Sequence, residues 1–340
     1  GGANSAATGG VGGSSIGGTG GSASVAASSA TGYGSGGGGG SSGSGSAVST
    51  GGDGSPGLIA VAPQFNTNLS ISTGTGAFSS GAISSPSSLS LTTNSGSTSA
   101  ITGIISGTMG LSKQGSGLLS LTAANTYSGG TDISAGTLRL SGLGTLGEAS
   151  NSLTMSGSSI LDLQTSLTVS SLTMGVGNSI TNTTGTSSLT VSGIANLANT
   201  VTTSGSQTYN GAVSLLSDTT LTTTNSNISF ASTVDSDTGQ SFSLTTNTGT
   251  GTARFFDNVG ATNQLTTLTT SGNSSIAGNI NTTGNQVYGG NVVLTSALPV
   301  LTSNTGNISI SGNVTSTYTG PSTCNDVYQF LGGGYYSFDS

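Results

Sequence analysis

GSQTYNGAVSL, residues 205–215, returns as GNQVYGGNVVL, residues 284–294, without a gap and at an offset of 79. Gln207 falls on Gln286 and Tyr209 on Tyr288. The correspondence extends to both sides: SSLTVSG at 187–193 answers TTLTTSG at 266–272, and NSNISFASTV at 225–234 answers NTGNISISGNV at 304–314 after a one-residue insertion. Roughly 50 residues recur in order, beyond what a shared Thr and Ser content produces, and a fixed period marks a repeat architecture whose units bury their apolar faces by stacking. A 79-residue unit is too long for one coil of a β-solenoid and suits three or four.

The pattern inside the repeat is that of strands. LLSLT, DISAGTLRL, SSLTVSG, NISF and NISISGNV alternate apolar with polar residues, the period-two signature of a strand with one buried face. Asn-Thr-Gly, Ser-Gly and Gly-Gly turns lie between them. Helix is disfavoured, because Gly, Ser, Thr, Asn and β-branched residues dominate while Glu and Lys occur once each. The expectation is an all-β chain folded as a parallel β-solenoid, with roughly 20 to 25 residues per coil and about eight to ten coils. Val213, Leu215, Leu221, Ile228 and Phe230 are the expected interior columns, each burial contributing roughly 1.5 to 3 kcal/mol. Like charges stacked about 4.8 Å apart would repel at every step, whereas Thr, Ser and Asn columns avoid that cost and hydrogen-bond along the stack.

Composition fits such a stack better than a disordered chain. Of 340 residues 60 are Gly, 4% are charged and 31% are hydrophobic, and a net charge of -7 is too dilute to keep the chain expanded. The basic residues Lys113, Arg139 and Arg254 cannot neutralise a phosphate backbone, so no nucleic-acid partner is expected. No apolar run is long enough for a transmembrane helix, and residue 1 is Gly with no charged and apolar leader before it, so any export signal has been removed or lies outside this sequence. Without His, and with Cys324 alone, the usual triad base, zinc sites and thiolate clusters are missing. No catalytic residue, metal or cofactor is therefore expected.

Four zones follow from composition. Residues 1–57 form a Gly/Ser-rich segment whose one aromatic is Tyr33; 58–110 carry the first strands and the entry to the solenoid; 111–317 form the solenoid body; 318–340 form an aromatic tail. The leader is either a flexible spacer or an extended Gly-rich segment packed closely against a neighbour. Tyr328, Phe330, Tyr335, Tyr336 and Phe338 place five of the 16 aromatic residues in the final 13 positions. Aromatics anchor interfaces, so these five, with Tyr33, are the candidate self-association residues, through capping of the chain's own solenoid or docking on a neighbour.

The stretch ITGIISGTMGLSKQGSGLLSLTAANTYSGGTDISAGTLRL at 101–140 resembles the passenger-associated repeat of bacterial autotransporters, through its Gly-Leu-x-Lys-x-Gly-x-Gly opening, Asn-Thr-Tyr-x-Gly-Gly-Thr centre and Ala-Gly-Thr-Leu close. The Gln-x-Tyr-x-Gly segments at 207–211 and 286–290 are similar to repeats of filamentous-haemagglutinin-like surface proteins. The leader is weakly similar to Gly-rich regions of fibre proteins. These resemblances imply a secreted, right-handed parallel β-helix acting as an adhesin, stalk or fibre on a bacterial surface.

Residues with possible chemistry each have a plainer structural role. Asp235 and Asp237 sit two apart, as paired carboxylates of glycan-cleaving solenoids do, yet a turn at a coil edge explains them equally. Arg254, Phe255, Phe256 and Asp257 could hold a ligand, or form an Arg–Asp pair beside a buried Phe. Lys113 and Glu148, unique of their types, raise the idea of an autocatalytic Lys-to-Asn crosslink. The sequence reading is a secreted, non-catalytic subunit joining copies of itself head to tail into an extracellular fibre. The alternatives are a cell-attached adhesin for glycan or host protein, and a polysaccharide-processing enzyme.

Overall fold

The computed structural model describes residues 47–50, 57–58, 68–73, 76–84, 87–296 and 299–317. Tyr33, Tyr328, Phe330, Tyr335, Tyr336, Phe338 and Cys324 lie outside the described residues. The described chain is all strand and turn, without a helix, and its strands stack in parallel as a β-solenoid. None of the described residues forms a helix long and apolar enough to cross a membrane. The chain divides into two compact units, one ending at Thr165 and one beginning at Ser166.

In the first unit one face is the parallel series Ala47–Thr50, Leu69–Ser72, Ser88–Thr92, Gly110–Gln114, Thr131–Ile133 and Ser152–Met155. A second runs Gly57–Leu58, Phe78–Ser80, Thr98–Ile101, Leu118–Leu121, Thr137–Leu140 and Ile160–Leu163. Ile83–Ser84 and Ile105–Ser106 form a short third face. Register places Leu89 on Leu111, and Leu119 on Leu138 and then Leu161, all at most 1% exposed. Because the side-chain period of a strand is two, this stacking sends every second residue inward and turns Ser70, Ser90, Ser112, Ser120 and Asp132 outward.

The second unit also has three faces. Leu167, Leu189, Gln207, Ile228, Ala253, Ser274, Val292 and Val314 share one column, so successive coils take 18 to 25 residues. The tightest coils are shorter than composition suggested. Strands Ala195–Thr203 and Val213–Thr223 each run over the two other faces, bent by an irregularity between Leu197 and Asn199, where Asn199 adopts φ 56°. The expected interior residues Val213, Leu215, Leu221, Ile228 and Phe230 are all buried. Tyr209, Phe230 and Phe255 stack in one column with centroids 5.4 and 5.2 Å apart and planes within 12° and 8° of parallel.

The internal repeat is a whole number of strands but not of coils. Three turns carry the column from Gln207 through Ile228 and Ala253 to Ser274, and two further faces, at Ile280 and Gln286, complete the 79-residue offset. Gln207–Tyr209 therefore pairs with Leu189–Val191 and Ile228–Phe230 on one face, whereas Gln286–Tyr288 pairs with Leu268–Thr270 and Ile308–Ile310 on another. The same sequence builds the same strand two faces further round the coil axis.

Candidate binding surface

Motif residues at 111–140 fix the coil from inside. Lys113 occupies an inward column between Leu91 and Ile133 and has no exposed surface. Its Nζ donates to the carbonyls of Gln114 at 3.0 Å, Gly115 at 2.7 Å and Ala135 at 3.0 Å, which uses all three of its hydrogens. Burial lowers its pKa to about 8. Gly115 and Gly136 turn the corners at φ 73° and 66°, and a Cβ on Gly115 would stand 2.3 Å from the Thr93 carbonyl oxygen. Asn125 spans three coils: its Oδ1 accepts from Ile105 N at 2.8 Å and its Nδ2 donates to Thr145 O at 2.7 Å. Tyr127 is buried with its hydroxyl 2.6 Å from Thr131 Oγ1, and burial raises its pKa above the usual phenol value.

A second polar network occurs twice. Tyr209 Oη donates to Gln207 Oε1 at 3.1 Å, and Gln207 Nε2 donates to Val201 O, Thr203 Oγ1 and Thr222 O at 3.1, 3.2 and 2.9 Å. In the rotated copy Tyr288 Oη donates to Gln286 Oε1 at 3.0 Å, and Gln286 Nε2 donates to Ile280 O, Thr282 Oγ1 and Thr302 O at 3.4, 3.3 and 2.8 Å. These networks hold neighbouring faces and successive coils together; neither meets solvent, since both Gln and both Tyr have no exposed surface. Burial raises the pKa of both phenols.

Corners carry asparagine ladders, as the composition suggested. Asn291 N donates to Asn273 Oδ1 at 3.0 Å and Asn313 N to Asn291 Oδ1 at 2.9 Å; Asn279 N and Val300 N repeat the step on Asn258 and Asn279 at 2.8 and 2.9 Å.

The charged residues singled out by sequence are placed as follows. Asp235 faces outward between buried Val234 and Ser236, and its Oδ1 accepts from Thr262 N at 2.9 Å and Asn263 N at 3.2 Å, so it caps a turn of the next coil. Asp237 is exposed and its carbonyl closes a turn with Gln240 N at 3.0 Å. The anticipated Arg254–Asp257 pair does not form: Asp257 Oδ1 accepts from Asn258 N at 2.7 Å, while Arg254 points outward from the middle of its strand. The ion pair among the described residues is instead Arg139 Nε to Asp162 Oδ2 at 2.8 Å, between register partners. Glu148 is exposed on a turn, and the Lys113 ammonium meets the backbone carbonyls of Gln114, Gly115 and Ala135 and no Asn side chain, an arrangement that does not serve a Lys-to-Asn crosslink.

What stands on the outer surface of this region is Arg254 with Phe256. Arg254 lies in a column between Ser229 and Ser275. Phe256 follows buried Phe255, keeps the ladder by donating its N–H to Phe230 O at 3.0 Å, and is 52% exposed, the one aromatic among the exposed large hydrophobic side chains of the described residues. One coil to either side its neighbours are Ala231 and Ala277, which sit one residue past Phe230 and Ile276.

Over the stretch that carries this Lys–Gly–Asn–Tyr framework, the parallel β-solenoid is similar to the repeats of autotransporter passengers. The model of the passenger-associated-transport-repeat matches residues 111–140. The chain is similar to the adhesin BmaC autotransporter of Brucella suis biovar 1 (strain 1330), at 40% identity over 87 residues, 26% of this chain and 2% of that protein. The chain thus spans a small part of its curated relative. No solved structure matches it.

Proposed function

We propose that this chain is a segment of a bacterial surface passenger of the adhesin type, a non-catalytic solenoid that carries a binding surface. The observation that supports this reading most is the passenger repeat at 111–140, whose Lys113, Asn125, Tyr127 and paired corner glycines all work as coil fasteners. The relative's name adds adhesion, and both comparisons point to the cell surface or extracellular space of a bacterium. Asp235, held by two backbone amides, is better suited to fastening a turn than to cleaving a glycan. Beads coated with the purified chain are expected to adhere to cultured animal cells severalfold above albumin-coated beads. Equal adherence, or release of reducing sugar from polysaccharide, would contradict this.

Self-association into a fibre is the second reading. It rests on the final described coil, where the inward residues Ile308, Ile310 and Val314 are half-buried while Gln286, Tyr288 and Val292 beneath them are buried. A coil whose inward residues are only half-buried offers apolar surface to a further coil or to a neighbouring chain. Under this reading Tyr328, Phe330, Tyr335, Tyr336 and Phe338 supply the contact, and removing residues 318–340 abolishes filaments seen by electron microscopy.

A further inference from the structure

We propose that Arg254 and Phe256 form a subsite for a carboxylate-bearing sugar, the guanidinium donating to the carboxylate and the ring packing on the C–H face of the pyranose. This rests on the adhesin reading. The three cations of the chain have different fates: Lys113 is enclosed by backbone carbonyls, Arg139 is paired with Asp162, and Arg254 has no ion-pair partner among the described residues. Arg presents a planar fork of donors matched to a carboxylate, and its always-charged head is weakly hydrated compared with an ammonium. On a chain of net charge -7, Arg254 is the place where an anion meets attraction.

Geometry favours a sugar over a bare anion. Arg254 lies within strand Thr252–Phe255 and Phe256 at the bend just past its end, so their backbones are at most roughly 7 Å apart, within the span of one pyranose ring and its carboxylate. Ser229 and Ser275 flank Arg254, and Ala231 and Ala277 flank Phe256, so neither head is shielded by a large neighbour on the adjoining coils. The nearest carboxylate in sequence, Asp257, is turned back onto the amide of Asn258, and Asp235 is occupied by Thr262 and Asn263. A ring set beside a cation above a floor of small residues gives a sugar one apolar and one charged contact, the minimum that separates a uronic acid from glucose or from an amino-acid carboxylate. A single exposed Arg–carboxylate contact is weak, so binding becomes useful only when many copies act together, as on a cell surface.

The test uses the full chain immobilised on a sensor and three soluble polymers of matched length: one bearing glucuronic acid, one bearing glucose, and polyglutamate. The expected result is preferential binding of the glucuronic acid polymer, lost about tenfold or more in Arg254→Gln and reduced about threefold to tenfold in Phe256→Ala. Both side chains are exposed or outward, so unfolding midpoints should match the parent. Glucuronate binding unchanged in both variants overturns the proposal. So does equal binding of polyglutamate with no effect of Phe256→Ala, which marks unspecific charge attraction. Cell adherence that persists in both variants sinks this subsite and leaves the adhesin reading standing, whereas an unmodified chain that fails to adhere sinks that reading instead.

Discussion

Lys113, Gln207 and Gln286 are large polar side chains set in mainly apolar columns, and each is tolerated because every hydrogen it carries has an acceptor. For Lys113 the consequence is a pH dependence of known sign. Its pKa falls from 10.5 to about 8 on folding, so the folded state binds the proton less tightly, and stability rises with pH between those values. The three buried tyrosines act oppositely: their raised pKa values make stability fall once unfolded phenols ionise, above about pH 10. Urea unfolding should therefore show a gain on the order of 1 kcal/mol from about pH 8 to 9.5 and a decline above 10, with Lys113→Met flattening the rise. Tyr209→Phe and Tyr288→Phe should each cost about 1 kcal/mol and agree within about 0.5, because the two networks are the same contact made on different faces.

Strands and corners make up the next level. Phe230 stacks between Tyr209 and Phe255, so Phe230→Ala removes both ring contacts and leaves a void, and should cost about 3 to 5 kcal/mol by chemical denaturation. Gly136→Ala should cost at least 1 kcal/mol, since its φ of 66° is left-handed and a Cβ would stand 2.5 Å from the Gly115 carbonyl oxygen. Much of this level was legible in the sequence. The interior columns from Val213 to Phe230 and the Asn ladders follow from period-two alternation and turn composition. The enclosure of Lys113 was not, because its acceptors are backbone carbonyls presented by corner geometry. Nor was the Arg139–Asp162 pair, since partners 23 residues apart meet only through coil register.

Across the chain, the rotation of the repeat was hidden for a related reason. Every face carries the same inward-outward alternation, and coil lengths vary from 18 to 25 residues, so an offset of 79 does not announce which face it reaches. Because a strand here is specified by its own residues and not by its face, excising residues 207–285 should join Ser206 to Gln286 and let Gln286–Tyr288 take the face vacated by Gln207–Tyr209. Circular dichroism and a cooperative melt should survive that excision; an aggregated product would show that face identity matters. The most direct measurement is disulfide trapping of the register after Cys324→Ser. Thr208→Cys with Ser229→Cys joins register partners on adjacent coils, about 5 Å apart and within disulfide reach, and should oxidise fully with the fold retained. Thr208→Cys with Arg254→Cys, two coils apart at about 10 Å, should not. Crosslinking of the second pair, or failure of the first in a folded protein, would contradict the parallel stack.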